Sequence, residues 1–368
     1  MSNYRKKVLE ARKQILQLTL DQEKQIIEIY SKQASKLIDE ILEMPESRTR
    51  THKIDTTRII NEYVKELYEN LNDNILKNTW ESSYIQRKVI LNFVDTVAPN
   101  RVVNEGLKRS ITNISDNTVR TLIAGGYYSD GKTLSNRLWN YTKQNGQDID
   151  TIIKMNVAGG ANVRTLASEL EKYVNPKNRI ESKSFKAGLN SYKISFNAQR
   201  LARTSITHAA TETQIQNAKK NPFSLGLKWN LSASHSARMH GRQDECDSRE
   251  GKVYEPDKVP LQHPNCLCYF TEEVDEKKAL TDIKAWASGD LENKQMDEWF
   301  NDFKEKWNGP TNIENKEPIK VKVNDVKISI PDKKKESKVS TWHEYKADDK
   351  QYSSKKAIKE HLSKEYKM

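Results

Sequence analysis

All three cysteines and three of the seven histidines of this 368-residue chain fall between His235 and Cys268. Thiolate and imidazole are preferred zinc ligands, and four of them at tetrahedral corners close a structural site. His263 and Cys266 stand two residues apart across Pro264, the spacing at which a tight turn aims both side chains at one ion. Cys246 supplies a third ligand from the preceding Asp244-Glu-Cys-Asp247 loop. Two residues compete for the fourth corner. Cys268 lies on the same side as Cys266 if that segment is extended, and His235 stands at the other end of the loop, with His240 and Asp247 as weaker candidates. The spacing is not that of a standard zinc finger. The same residues also admit a plainer account, in which the cysteines are small buried side chains and the histidines pin loops through hydrogen bonds.

Enzymatic chemistry is the rival. A Cys–His nucleophile pair needs an orienting Asn or Asp and an oxyanion element, and the sequence offers no recognisable set. A metal-dependent hydrolase, most naturally a nuclease, would use His235, His240 and His263 with Asp244 or Asp247 around one ion, leaving a position open for water. The expectation here is a closed structural site, no catalytic residues and no small-molecule substrate. Gly126-Tyr-Tyr-Ser-Asp-Gly131-Lys132-Thr133 matches the phosphate-loop expression G-x-x-x-x-G-K-[ST] letter for letter. A phosphate cradle needs a strand feeding the loop and small residues in it. A helical pattern precedes this one and two tyrosines fill it, so a turn between helices is expected.

The elements that must position the cluster read as follows. Apolar residues recur at three- and four-residue steps from Asn3 to Met44, a long amphipathic helix stopped by Pro45. Further helical patterns cover Thr57–Trp80, Lys88–Val97, Arg101–Ser110, Asn117–Ala124, Leu134–Lys143, Asp148–Ala158, Val163–Tyr173 and Lys193–Lys220. After Pro222 short β-like pieces replace them at Leu227–Leu231, Lys252–Tyr254 and Cys266–Val274. The fold class is therefore a mainly α N-terminal part, a small α+β Cys/His module and a flexible basic C-terminal tail. The boundaries are 1–130 helical and partner-docking, 131–275 with the module at 227–274, 276–308 as short helices, and 309–368 as tail. Within the tail, Ile319–Ile330 alternates as a β-hairpin would.

The order of these elements resembles the phage Mu F-like family of minor capsid, or head morphogenesis, proteins. The resemblance rests on Trp229 in a strand, Leu-Ser-Ala-Ser-His235, Glu-Cys246-Asp, a Gly-Lys pair and His263-Pro264-Asn-Cys266-Leu-Cys268. Upstream it rests on Arg203-Thr204 and Thr207-His208-Ala-Ala-Thr211-Glu212, and on Gly159-Gly160-Ala-Asn-Val-Arg164. It covers roughly Leu134–Val274. Two departures stand out: Ser205 follows Arg203-Thr204 where the family often has Glu, and Leu267 stands where it commonly has Arg. What the resemblance implies is a tailed-phage structural protein, made in the bacterial cytoplasm and carried inside the virion head. It would contact the portal protein or the major capsid protein and act in head assembly and in handling the packaged DNA. Arg203, read on its own, is more simply a residue that anchors a loop or an ion pair.

Charge and composition agree with this without demanding it. The chain holds 62 Lys and Arg against 51 Asp and Glu, a formal charge of +11, and phosphate neutralisation by such residues gives sequence-independent affinity for DNA. Lys333, Lys334, Lys335, Lys355 and Lys356 are the best candidate contacts. No apolar run long enough to cross a membrane is present, and the charged start lacks the apolar stretch of a signal peptide. Three cysteines, two of them one residue apart, fit reduced thiols better than a disulfide framework. A host nucleic-acid-binding regulator would need a helix-turn-helix or finger spacing that the chain does not show.

Overall fold

The computed structural model describes residues 3–44, 50–159, 161–177, 194–239 and 241–302, with the backbone of 319–323 and 326–330. It has a mainly helical N-terminal region and a small three-stranded antiparallel sheet that carries the Cys/His cluster. Helices α1 (Asn3–Leu42), α2 (Arg50–Val97), α3 (Arg101–Ile123), α4 (Leu134–Ala158), α5 (Val163–Val174) and α6 (Phe196–Lys220) come first. Strand β1 (Ser224–Asn230), the single turn α7 (His235–Arg238), β2 (Val253–Tyr254) and β3 (Tyr269–Val274) form the module. Two short helices follow, α8 (Glu276–Ser288) and α9 (Lys294–Asn301).

Three expected interruptions are absent because the residues that suggest them solve packing problems. Glu81–Arg87, expected as a break, continues α2, and its serines face α6. The Ser82 hydroxyl donates to the Ile206 carbonyl at 2.7 Å, and Ser83 shares a 2.7 Å hydrogen bond with Thr213. The polar stretch between Ser110 and Asn117 continues α3, with the Ser115 hydroxyl bonded back to the Ile111 carbonyl at 2.7 Å. Gly146 continues α4, because a Cβ there would sit 2.5 Å from Cγ2 of Val64. The glycine is a point of close helix approach rather than a stop.

Helix ends follow the expected chemistry. Asn100, Thr133 and Asn162 cap α3, α4 and α5, each side-chain oxygen accepting from the backbone N–H three residues on. One apolar core joins α1, α2, α3 and α6 with α8 and α9 through Val8, Ile15, Phe93, Leu107, Ile206, Ile283 and Trp299. All of these elements lie in one compact unit. The boundary expected near residue 130 runs through it, because α6 packs against both α2 and α3.

The sheet runs in the order β2-β1-β3, with Trp229 opposite Phe270 and Leu227 opposite both Tyr254 and Glu272. The register shifts at Gly226, whose φ of +125° and closeness to the Tyr254 carbonyl leave no room for a side chain. A second core lies on this sheet, made of Ile215, Ala218, Leu227, Trp229, Phe270 and the three cysteines. Toward the C terminus Ile319–Val323 (β4) and Val326–Ile330 (β5) pair with each other. No helix among the described residues is long and apolar enough to cross a membrane. Lys333, Lys334, Lys335, Lys355 and Lys356, with the rest of the expected tail, lie outside the described residues, as does His240.

Candidate metal centre

The strand expected from Cys266 begins only at Tyr269, so Cys266 and Cys268 sit in a turn before β3. That turn depends on Asn265, whose φ of +68° is left-handed; Asn is among the few residues that adopt this conformation readily. The turn brings Cys266 and Cys268 to Cys246, and the three sulfurs lie within 4.8 Å of one another. Cys246 and Cys266 are 3.7 Å apart. A tetrahedral ion with metal–sulfur bonds of 2.3 Å sets its sulfurs about 3.8 Å apart, so the spacing suits an ion. All three cysteines are buried and free of disulfides. Three buried cysteines beside histidine and aspartate can bind a metal such as zinc.

Around the sulfurs, polar groups are arranged for an anionic centre. The backbone N–H of Cys268 donates to Sγ of Cys266 at 3.3 Å. Hydrogen bonds from Cys246 and Cys266, opposed by burial, hold the Cys268 thiol well below its usual range, while the partner thiols push Cys246 up. His235 is buried and presents Nδ1 at 3.9 Å from Sγ of Cys268. Its Nε2 lies 3.1 Å from Oδ2 of Asp247. A carboxylate only accepts, so Nε2 carries the proton and Nδ1 offers its lone pair to the cluster. Burial disfavours charging His235, but the Asp247 bond and nearby negative groups outweigh it and raise its pKa.

His263 occupies a neighbouring position. Its Nδ1 is 3.0 Å from the Pro264 carbonyl and its Nε2 is 3.3 Å from Oδ2 of Asp244. It groups with Asp244 and Cys246, while His235 groups with Asp244 and Asp247. Asp244 thereby joins the two histidines, and its Oδ1 also accepts the Cys246 backbone N–H at 2.7 Å. Pro264 itself is exposed. Trp229 is fully buried in the same cluster as the sulfurs, edge-on to Phe270 at 4.9 Å, with the Arg249 guanidinium 5.0 Å from its ring centroid.

Helix α6 holds this loop along one face. Arg203 donates to Oδ1 of Asn265 at 2.6 Å and pairs with Glu23 of α1. The Thr204 hydroxyl accepts the Asn265 N–H at 2.8 Å, and Thr207 donates to the Cys266 carbonyl at 3.0 Å. One turn on, Nε2 of His208 lies 3.0 Å from the Gln262 carbonyl, and Thr211 donates to the Gln262 side chain at 2.8 Å. Gln262 in turn donates to the Cys268 carbonyl at 2.6 Å. Arg203 is thus a loop anchor with an ion-pair partner, the simpler of its two readings. Ser205 is buried and bonds back to the Leu201 carbonyl.

The phosphate-loop match resolves into a brace for the same helix. Residues 125–131 turn between α3 and α4, and Thr133 serves as the N-cap of α4. The Tyr128 hydroxyl lies 3.1 Å from Nδ1 of His208. Because Nε2 donates to a carbonyl, Nδ1 accepts from the tyrosine, and the ring is neutral. Burial accordingly pulls His208 down to about 4.

Sequence reasoning missed Arg12. Its guanidinium on α1 donates to the Leu267 carbonyl between the two cysteines and lies 4.9 Å from the Tyr269 ring centroid. Burial pulls it down to about 10, against the favourable influence of Tyr269, Cys268 and Cys266. No local pattern marks a contact spanning 255 residues. Beside Cys268 the interior leaves a cavity of only about 20 Å³, roughly the room for one water. Comparison with family models, with curated proteins and with solved structures returns no match.

Proposed function

We propose that this chain is a non-enzymatic structural protein of a tailed-phage head, similar to the Mu F-like minor capsid proteins. Its Cys/His module is stabilised by one structural zinc. Cys246, Cys266 and Cys268 would hold the ion with Nδ1 of His235, which Asp247 presents. Zinc supplies folding free energy by cross-linking loops that the thin sheet cannot hold alone.

One observation carries this reading. Five of the residues on which the resemblance rests, Arg203, Thr204 and Thr207 on α6 with Asn265 and Cys266, meet across up to 62 positions of sequence in one interlocking contact between α6 and the thiol loop. In this reading the module is a rigid block, the helical part docks on the portal or the capsid interior, and any DNA contact is unspecific and salt-dependent. The buried sulfurs and the single-water cavity beside them favour a closed site over turnover.

A specific observation keeps the hydrolase as a second reading: His235, Asp244 and Asp247 converge within 4.8 Å. Two experiments separate them. Particles of the encoding phage or prophage, purified and digested for mass spectrometry, should contain a few copies of the chain per head and yield cross-links to the portal or major capsid protein. Zinc-loaded protein should leave plasmid DNA and RNA intact. Cleavage that disappears in Asp247→Asn, with the chain absent from particles, would replace the structural reading by the hydrolytic one.

A further inference from the structure

Three guanidinium groups converge on the thiol loop from three elements. Arg203 reaches the Asn265 side chain, Arg238 at the end of α7 reaches the Asn265 carbonyl, and Arg12 of α1 reaches the Leu267 carbonyl. Glu23 balances Arg203. Arg12 and Arg238 each bond a neutral carbonyl, and among the described residues neither forms an ion pair with a carboxylate. A cation withdrawn from water beside neutral groups is costly unless a negative charge lies close by.

The sulfurs are the groups placed to supply that charge. Cys266 and Cys268 flank Leu267, and both favour the charged forms of Arg12 and Arg238, with Glu23 adding to the effect at Arg238. Three thiolates and a neutral imidazole around a divalent ion carry a net charge of −1. An anionic centre of this kind, buried in an apolar cluster with Trp229 and Phe270, needs cations as much as the two arginines need an anion.

We propose that Arg12 and Arg238 are the counter-ions of the metal–thiolate centre, so that metal binding and the seating of the N-terminal half of α1 are thermodynamically linked. The inference rests on the zinc reading above. Helix α1 touches the module at two places, Tyr4 donating to Glu272 at 2.5 Å and Arg12 to the Leu267 carbonyl, and further along Glu23 pairs with Arg203 of α6. The Arg12 contact is the one that senses the centre's charge. Removing the ion loosens the turn whose Leu267 carbonyl Arg12 holds, and the seat of the helix loosens with it. Linkage is reciprocal, so whatever factor the seated helix adds to metal affinity, bound metal returns to the seating of the helix.

The test uses the full chain, zinc and a competing chromophoric chelator. Arg12→Gln should weaken zinc binding ~10–100-fold, the range for residues that support metal ligands from outside. Arg12→Lys should recover part of the loss, and Lys13→Gln, which removes an exposed charge from the adjacent position, should leave affinity unchanged. On the wild type, chelation should raise amide exchange across residues 3–23 more than across 60–80 of α2. Equal zinc affinity in Arg12→Gln and wild type, or unchanged exchange over 3–23 after the zinc has left, overturns the linkage while leaving the zinc reading intact. A wild-type chain that takes up no zinc overturns both.

Discussion

The hydroxyl of Thr207 on α6 donates to the carbonyl oxygen of Cys266 at 3.0 Å, so the long helix and the thiol turn share a buried hydrogen bond. Thr207→Val keeps the shape and removes the donor, leaving a buried acceptor without its partner. A loss of ~1–3 kcal/mol is expected, measured by denaturant melts of the zinc-loaded protein. An unchanged midpoint would mean that α6 does not hold the loop.

Asn265 combines a left-handed backbone with a side chain that accepts from Arg203. Asn265→Gly keeps the backbone free to adopt that conformation and loses only the hydrogen bond. Asn265→Ala loses both, and should be less stable than the Gly variant by ~1 kcal/mol or more. The reverse ranking would show that the turn tolerates an ordinary backbone.

His208 makes a pH signature. Its folded pKa is pulled down to about 4, against about 6.5 for an unperturbed histidine. The unfolded chain therefore binds the extra proton first as pH falls. The stability from this group is complete above pH ~6.5 and is lost progressively down to about 4, a change of ~3 kcal/mol. Glu212 and Glu272, whose pKa values burial raises, act in the opposite sense. The measurement is thus the difference between wild type and His208→Asn across pH 4–7, which should shrink toward acid.

Gly146→Ala tests whether α4 approaches α2 as closely as the structure has it. Helix propensity alone would favour Ala by ~1 kcal/mol. The new methyl would meet Val64 at 2.5 Å, and overpacking of this kind costs ~1–3 kcal/mol. Net destabilisation in thermal melts is expected, and Val64→Ala in the same chain should relieve it.

Metal removal should act on stability by mass action. Free zinc at a hundredfold excess over its dissociation constant adds ~2.7 kcal/mol to a chain that binds it only when folded. The Cys246→Ser, Cys266→Ser double variant should show neither the bound zinc, about one per chain in the wild type, nor the stabilisation. A double variant that melts like the zinc-loaded wild type would assign the sulfurs to packing alone.

The helices were legible because their apolar stripes repeat, and the cysteines because thiols in such spacing are uncommon. The breaks expected near Ser82, Asn113 and Gly146 failed for a shared reason: polar or small residues inside a helix look like interruptions until a second helix lies against them. The fourth corner of the centre was only half legible. His235 could be named from its place in the loop, whereas Asp247, read as a weak ligand, holds the imidazole from behind. Arg12 and Glu23 were invisible, since nothing within α1 marks the tie of one to a loop 255 residues away or of the other to α6, 180 residues away.

The Leu267 contact has a further consequence for how such chains diverge. Arg12 is bound by a main-chain oxygen, which every residue possesses, so the side chain at position 267 can change without removing the acceptor. Selection acting on Arg12 would then leave no compensating change at its partner position. Covariation between aligned sequences, which reports side chains that change together, would pass over this contact even in a large set of relatives.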